Sequence, residues 1–154
     1  MEGLPRSGLR RYRSTITAPP PVSTSNPKGP MSGQVLVVDD EPMIRRFAAR
    51  VLREQGFSVH EAADGAEALE LIRDGMGDVD VVLSDIVMPR LNGVELLQSL
   101  SILRPELPVI LMSGYGSAQL AERGIVSPCG VLAKPFSPEA LVAEVRRCVR
   151  SLLA

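Results

Sequence analysis

VLVVDDEP, residues 35–42, is the stretch on which the fold turns. Val35 to Val38 form an unbroken β-branched and Leu run, without the polar alternation of a strand that has one wet face. Such a run reads as a strand buried on both faces. Asp39-Asp40-Glu41 ends it. Pro42 then stands where the first turn of a helix accepts a residue that lacks an N–H. Ile44, Phe47, Ala48, Val51 and Leu52 recur at helical spacing, and Gly56 closes the helix. A doubly buried strand, an acidic turn and an amphipathic helix are the opening of a β/α unit.

The same alternation continues toward the C-terminus. Phe57–Glu61 reads as a second strand, and Asp64 caps a helix that runs through Ala66, Leu69 and Ile72 to Gly75. Val79–Ser84 is a third strand, followed by a helix marked by Val94, Leu97 and Leu100 that ends before Pro105. Pro108–Met112 is a fourth strand, residues 116–124 a short and weakly patterned helix, and Val131–Ala133 a fifth strand. Ser137 caps the last helix, with Pro138 at its first position and Leu141, Val145, Cys148, Val149 and Leu152 along one face. Five strand–helix units with apolar strands imply an α/β fold, a five-stranded parallel sheet with helices on both faces. Right-handed crossovers make it a small doubly wound sheet.

Toward the N-terminus the pattern stops. Residues 1–32 hold five basic residues (Arg6, Arg10, Arg11, Arg13, Lys28), one acid (Glu2) and six of the 13 prolines. Such a segment buries too little apolar surface to offset its ordering entropy, so it reads as a disordered tail or linker, with the domain at 33–154. The 154-residue chain thus has room for one domain, and its formal net charge of −1 gives no global basic field for nucleic acid. Aromatic residues make up 3% and Trp is absent, which argues against base-stacking platforms. No apolar run is long enough to span a membrane, and the Arg-rich start lacks a signal peptide's apolar core. The expected location is the cytoplasm. Two cysteines cannot supply a disulfide scaffold or a four-ligand zinc site; Cys129 reads as a loop thiol and Cys148 as a small core residue. His60, the only histidine, falls inside the second strand and reads as structural.

In doubly wound sheets ligands bind beyond the carboxyl ends of the strands. Strand one is followed by Asp39-Asp40-Glu41, strand three by Asp85, strand four by Ser113-Gly114 and strand five by Lys134-Pro135. Singly, each has an ordinary role: a helix cap, a loop carboxylate, a turn hydroxyl, a solvated lysine. Together they collect three carboxylates, a hydroxyl and an ammonium on one edge. Clustered carboxylates repel and need a cation. A few oxygen ligands, with room left for water and phosphate, suit Mg²⁺ better than a closed Ca²⁺ cage, and the absence of His or Cys at the strand ends argues against zinc. Lys134 is a point charge for phosphate, Ser113 can donate to a phosphoryl oxygen, and one carboxylate can act as nucleophile to give an aspartyl phosphate.

These residues resemble the receiver domains of two-component response regulators over residues 34–152. VLVVDDEP (35–42) is similar to that family's first strand and acidic pair, LSDIVMPRLNG (83–93) to its phosphoacceptor segment, VILMSGY (109–115) to its hydroxyl segment and LAKPF (132–136) to its lysine segment. The resemblance implies the strand order 2-1-3-4-5. It implies that Asp85 accepts a phosphoryl group from a phosphohistidine and that Asp40 binds Mg²⁺ directly and Asp39 through water. The Val87 carbonyl would be a further metal ligand. It also implies that Ser113 and Lys134 bind the phosphoryl oxygens and that the Lys134–Pro135 peptide is cis. The implied partners are a sensor histidine kinase or a histidine phosphotransfer protein, and a downstream protein reading the face of the fourth helix, fifth strand and last helix. The implied chemistry is limited to the domain's own phosphorylation and dephosphorylation. One position departs from the pattern: Val131 stands where the family usually has Tyr or Phe as a switch.

Other readings separate on sequence features. The end of the chain at Ala154 suits a stand-alone receiver, whereas the SGY and KPFS segments resemble receivers of hybrid sensor kinases, for which a Pro-rich linker is also fitting. A phosphatase with an aspartate nucleophile would need D-x-D, and Asp85-Ile86-Val87 lacks the second Asp. Neither G-x-x-x-x-G-K-[ST] nor G-x-G-x-x-G follows the first strand, so nucleotide binding has no support.

Overall fold

The computed structural model describes residues 33–75, 78–127 and 129–153. The expected tail, residues 1–32, lies outside the described residues. Strands β1 (Gln34–Val38), β2 (Ser58–Ala62), β3 (Val81–Asp85), β4 (Val109–Ser113) and β5 (Val131–Ala133) alternate with helices α1 (Pro42–Glu54), α2 (Gly65–Arg73), α3 (Gly93–Leu103), α4 (Ser117–Glu122) and α5 (Pro138–Leu153). All strand pairs are parallel, and the order is β2-β1-β3-β4-β5. β1 is therefore central: Val35 pairs with Val59 on one side and Val81 on the other.

The unbroken apolar run of β1 follows from that position. Val35 and Val37 enter one core with α1 and α5, whose Ala48, Leu52, Leu141, Val145 and Cys148 are fully buried. Leu36 and Val38 enter the other with α2 and α3, contributed by Ala68, Leu69, Ile72, Leu96 and Leu100. Side chains alternate across a strand, so a sheet covered on both faces needs apolar residues at every position. Each fully buried Val or Leu contributes roughly 1.5–3 kcal/mol.

Helix starts match their local chemistry. Asp64 accepts from the Glu67 N–H at 2.9 Å, Asn92 and Glu95 exchange two 2.9 Å bonds at the start of α3, and Ser137 accepts from the Ala140 N–H at 3.0 Å. Strand ends differ from the sequence reading in register. β2 begins after Phe57 and takes in Ala62, β3 begins after Val79 and Asp80, and β4 begins after Pro108. Asp85 and Ser113 are thus the last residues of β3 and β4, not residues beyond them. Their backbones still pair, Asp85 with Met112 and Ser113 with Ala133, so the ladder extends to the sheet's rim. A second correction concerns the cysteines. Cys129 and Cys148 are not separate thiols but a disulfide between the loop before β5 and α5, with their Cα atoms 5.9 Å apart.

Candidate functional site

The carboxyl edge of the sheet gathers what the strands deliver. Asp39 follows β1 and is fully buried, Asp40 beside it is exposed, and Asp85 at the end of β3 is 8% exposed. One oxygen from each lies within 4.8 Å of the others, the one metal-ligand type cluster found among the described residues. Lys134, one residue past β5, places its Nζ 3.3 Å from Asp39 Oδ2 and 3.1 Å from Asp85 Oδ1. Its N–H donates to the Ser113 carbonyl at 2.7 Å, which ties the end of β5 to the end of β4, and the peptide that follows, Lys134–Pro135, is cis. Ser113 is buried, and its Oγ accepts from the Tyr115 N–H at 2.8 Å. The Val87 side chain is exposed, two residues beyond Asp85.

Hydrogen bonds to and from the backbone hold these groups in place. Asp39 Oδ1 accepts from the Glu41 N–H at 2.9 Å, and its carbonyl accepts from Arg45 Nη1 at 2.9 Å. Arg45 is itself held by Glu61 at 3.2 Å. The segment from Ile86 to Asn92 is gripped at both ends: Gly93 donates to the Ile86 carbonyl at 2.8 Å and Gly65 to the Leu91 carbonyl at 3.0 Å. Arg90, at φ 66°, makes a two-pronged ion pair with Asp64 at 2.8 and 3.0 Å. An Arg in the left-handed region is uncommon, and here the ion pair holds it there. That pair, together with burial, which opposes it, and the Glu67 N–H, sets the Asp64 carboxyl below its usual range.

The electrostatics are those of a negative pocket with one resident cation. Burial pushes the Asp85 carboxyl up; the Lys134 hydrogen bond pulls it back, and the Asp39 charge adds to the rise. Burial works against the Lys134 charge, but the Asp85 hydrogen bond and the charges of Asp39 and Asp85 outweigh it and hold the ammonium above its ordinary range. Three carboxylates against one ammonium leave an excess of two negative charges. A hard divalent cation matches that deficit and the all-oxygen donor set, so the pocket is compatible with Mg²⁺.

The strand-end residues named from the sequence, Asp39, Asp40, Asp85, Ser113 and Lys134, all lie on this one edge. Arg45 and the Arg90–Asp64 pair were not legible as site neighbours, since Asp64 reads as a cap and nothing in the spacing links residues 26 apart. Tyr115, 45% exposed, carries the Arg123 guanidinium 4.6 Å from its ring centre. No apolar periodicity flags such a contact.

The comparisons place a chain with this sheet order, acid cluster and lysine in one family. Residues 35–146 match the response regulator receiver domain family, and the chain belongs to it as a receiver domain of a two-component system. It is 41% identical over 117 residues to the sensor kinase CckA of Brucella abortus (strain 2308), covering 75% of this chain and 12% of that protein. It is 36% identical over 121 residues to the response regulator MprA of Mycobacterium sp. (strain KMS), covering 78% and 52%. The chain therefore spans about half or less of these relatives. Among solved structures it is similar to a response regulator receiver domain protein from Clostridium thermocellum, with TM-score 0.69, 27% identity and coverage of 79% of this chain and 99% of that one. It is also similar to the receiver domain of the hybrid histidine kinase CckA, with TM-score 0.63, 35% identity and coverage of 76% and 99%.

Proposed function

We propose that Asp85 takes a phosphoryl group from a phosphohistidine. The observation that carries this is the convergence of Lys134 on Asp85 and Asp39, at 3.1 and 3.3 Å, beside a three-carboxylate cluster. An Asp85 carboxylate oxygen bonds to phosphorus while the P–N bond to the donor imidazole breaks and its electron pair returns to nitrogen. Asp39, Asp40, Asp85 and the Val87 carbonyl would hold Mg²⁺, which when bound neutralises charge on the transferred group. Lys134 is already at the carboxylate and pairs with a phosphoryl oxygen once Asp85 carries the acyl phosphate. Ser113 Oγ accepts from Tyr115, so its own O–H is free to donate to another phosphoryl oxygen. The chain's chemistry is confined to its own phosphorylation and dephosphorylation.

The donor is a sensor histidine kinase or a histidine phosphotransfer protein. Likeness to the receiver of a hybrid kinase supports a hybrid kinase as the parent of this domain. Residues 1–32 act as a linker or tail to a domain at 33–154, and the setting is the cytoplasm; no helix among the described residues is long and apolar enough to cross a membrane. The state is read from the α4–β5–α5 face. Val131 there is stiff at χ1 and too small to sweep the space a ring would fill, so residues 114–124 reorder instead. Incubation with Mg²⁺ and acetyl phosphate should add one base-labile phosphoryl group, and Asp85→Asn should abolish it. Wild-type labelling of Asp85→Asn would remove Asp85 from the role.

A further inference from the structure

At the opposite end of β5 from Lys134 lies a second reactive pair that the phosphoryl chemistry does not use. Cys129 precedes β5 by two residues, is partly exposed and is joined to fully buried Cys148 on α5. A cavity of about 290 Å³ is lined by Leu100, Leu107, Val109 and Arg147 as well as the two cysteines, of which Cys129 is the partly exposed one. Arg147 donates to the Cys129 carbonyl and is anchored to Glu144 at 3.0 Å. Gly130 is at φ +125°, a conformation that favours glycine, and a Cβ there would lie 2.7 Å from Arg147 Nη2. Partial exposure gives Cys129 the access that a reacting cysteine needs.

We propose that Cys129 and Cys148 are a reversible oxidation site for small peroxides, and that the disulfide latches β5 to α5 and so sets the position of Lys134. The Cys129 thiolate attacks one oxygen of hydrogen peroxide, the O–O bond breaks, and water leaves once protonated, giving a sulfenic acid. The Cys148 thiolate then attacks that sulfur and expels the oxygen as a second water. Two thiols and one peroxide become one disulfide and two waters. A dithiol reductant reverses the change by exchange.

The reach to the site runs along the strand. β5 has three residues and a single neighbour, β4, so its placement depends on what ties it to α5. The tie at Cys129 is at one end, and Lys134, with its contacts to Asp39 and Asp85, is at the other. The oxidised form keeps Lys134 preorganised against Asp85; reduction loosens it. In a reducing cytoplasm a bond of this kind serves sensing rather than permanent bracing. The coupling to labelling rests on the proposed phosphorylation of Asp85, whereas the thiol chemistry does not.

The full chain, reduced with dithiothreitol and desalted, is treated with hydrogen peroxide. Maleimide labelling under denaturing conditions should find two thiols before and none after, with a mass loss of two hydrogens and a monomer on a non-reducing gel. A lasting sulfinic acid at Cys129 with Cys148 still a thiol, or a link between chains, overturns the site. Acetyl phosphate labelling with Mg²⁺ should be faster in the oxidised form, by roughly twofold to thirtyfold, the span of couplings through a packed element. Equal rates, or faster labelling of the reduced form, overturn the latch. If neither form is labelled, the Asp85 assignment fails and the thiol result still stands or falls by itself. The latch is then read from amide shifts, which should reach Lys134 between the two forms; shifts confined to the cysteines' neighbours overturn it. Cys129→Ser, at the partly exposed partner, should make the labelling rate indifferent to peroxide; a rate change equal to wild type overturns the proposal.

Discussion

Substituting Gly93→Ala tests whether the α3 start and the Asp85 segment are built as one piece. Gly93 opens α3 directly against the end of β3, and a Cβ there would stand 2.2 Å from the Asp85 carbonyl oxygen and 2.9 Å from the Ile86 Cα. Both obstacles are backbone, so neither rotates away. Clearing the carbonyl requires α3 and β3 to part by about 1 Å, and overpacking of that kind costs about 3 kcal/mol, the upper part of the usual range. Ala regains about 1 kcal/mol of helix propensity over Gly. The net loss is then about 2 kcal/mol, which with a urea slope near 2 kcal/mol/M lowers the midpoint by about 1 M. The same displacement moves Asp85 from Lys134, and a misplacement of about 1 Å costs on the order of a hundredfold in rate. Equilibrium urea denaturation and acetyl phosphate labelling measure the two effects. Gly114→Ala is the control, because a Cβ there meets nothing within 4 Å, and it should stay within about 0.5 kcal/mol of wild type. If Gly93→Ala also falls within that margin, or labels at the wild-type rate, the close approach does not govern the site.

Asp64→Ala removes both the α2 cap and the Arg90 partner and should destabilise by more than the cap's share of about 1 kcal/mol, measured by urea denaturation, with Asp64→Ser recovering only that share. Leu120 is the fully buried anchor of α4, so Leu120→Ala should cost about 2–4 kcal/mol and expose the amides of residues 117–125 to hydrogen exchange ahead of the rest. Reducing Cys129–Cys148, which closes a span of 19 residues, should lower stability by about 3 kcal/mol in parallel urea titrations with and without dithiothreitol. Asp85 titrates above its ordinary 3.8 in the folded chain, so the native state there holds more protons than the unfolded one and stability falls as pH rises from 3.8 through the raised value. In metal-free buffer the stability advantage of Asp85→Asn over wild type should therefore grow with pH across that interval; an advantage that shrinks there refutes the burial account.

The strands, helices and chemistry-bearing ends were legible because each leaves a local mark. A doubly buried strand is apolar at every position, as in Val35–Val38; a helix start shows its cap, as at Asp64 and Ser137; and a carboxylate or lysine directly after such a strand must stand at the sheet's edge. Helical spacing also picked out Cys148 as core. Register escaped by one or two residues, because the ladder at Asp85 and Ser113 continues past the point where the apolar run stops. Contacts between distant residues left no mark. The Arg90–Asp64 pair, Arg45 on the Asp39 carbonyl and the Cys129–Cys148 bond join segments whose separation only the closed sheet removes. The alternation of elements and the residues that face the carboxyl edge follow from period and hydrophobicity, which are local properties of the chain. Which charges touch is settled by packing, because an ion pair or a disulfide depends on distances of a few ångströms between elements, and no local propensity encodes those.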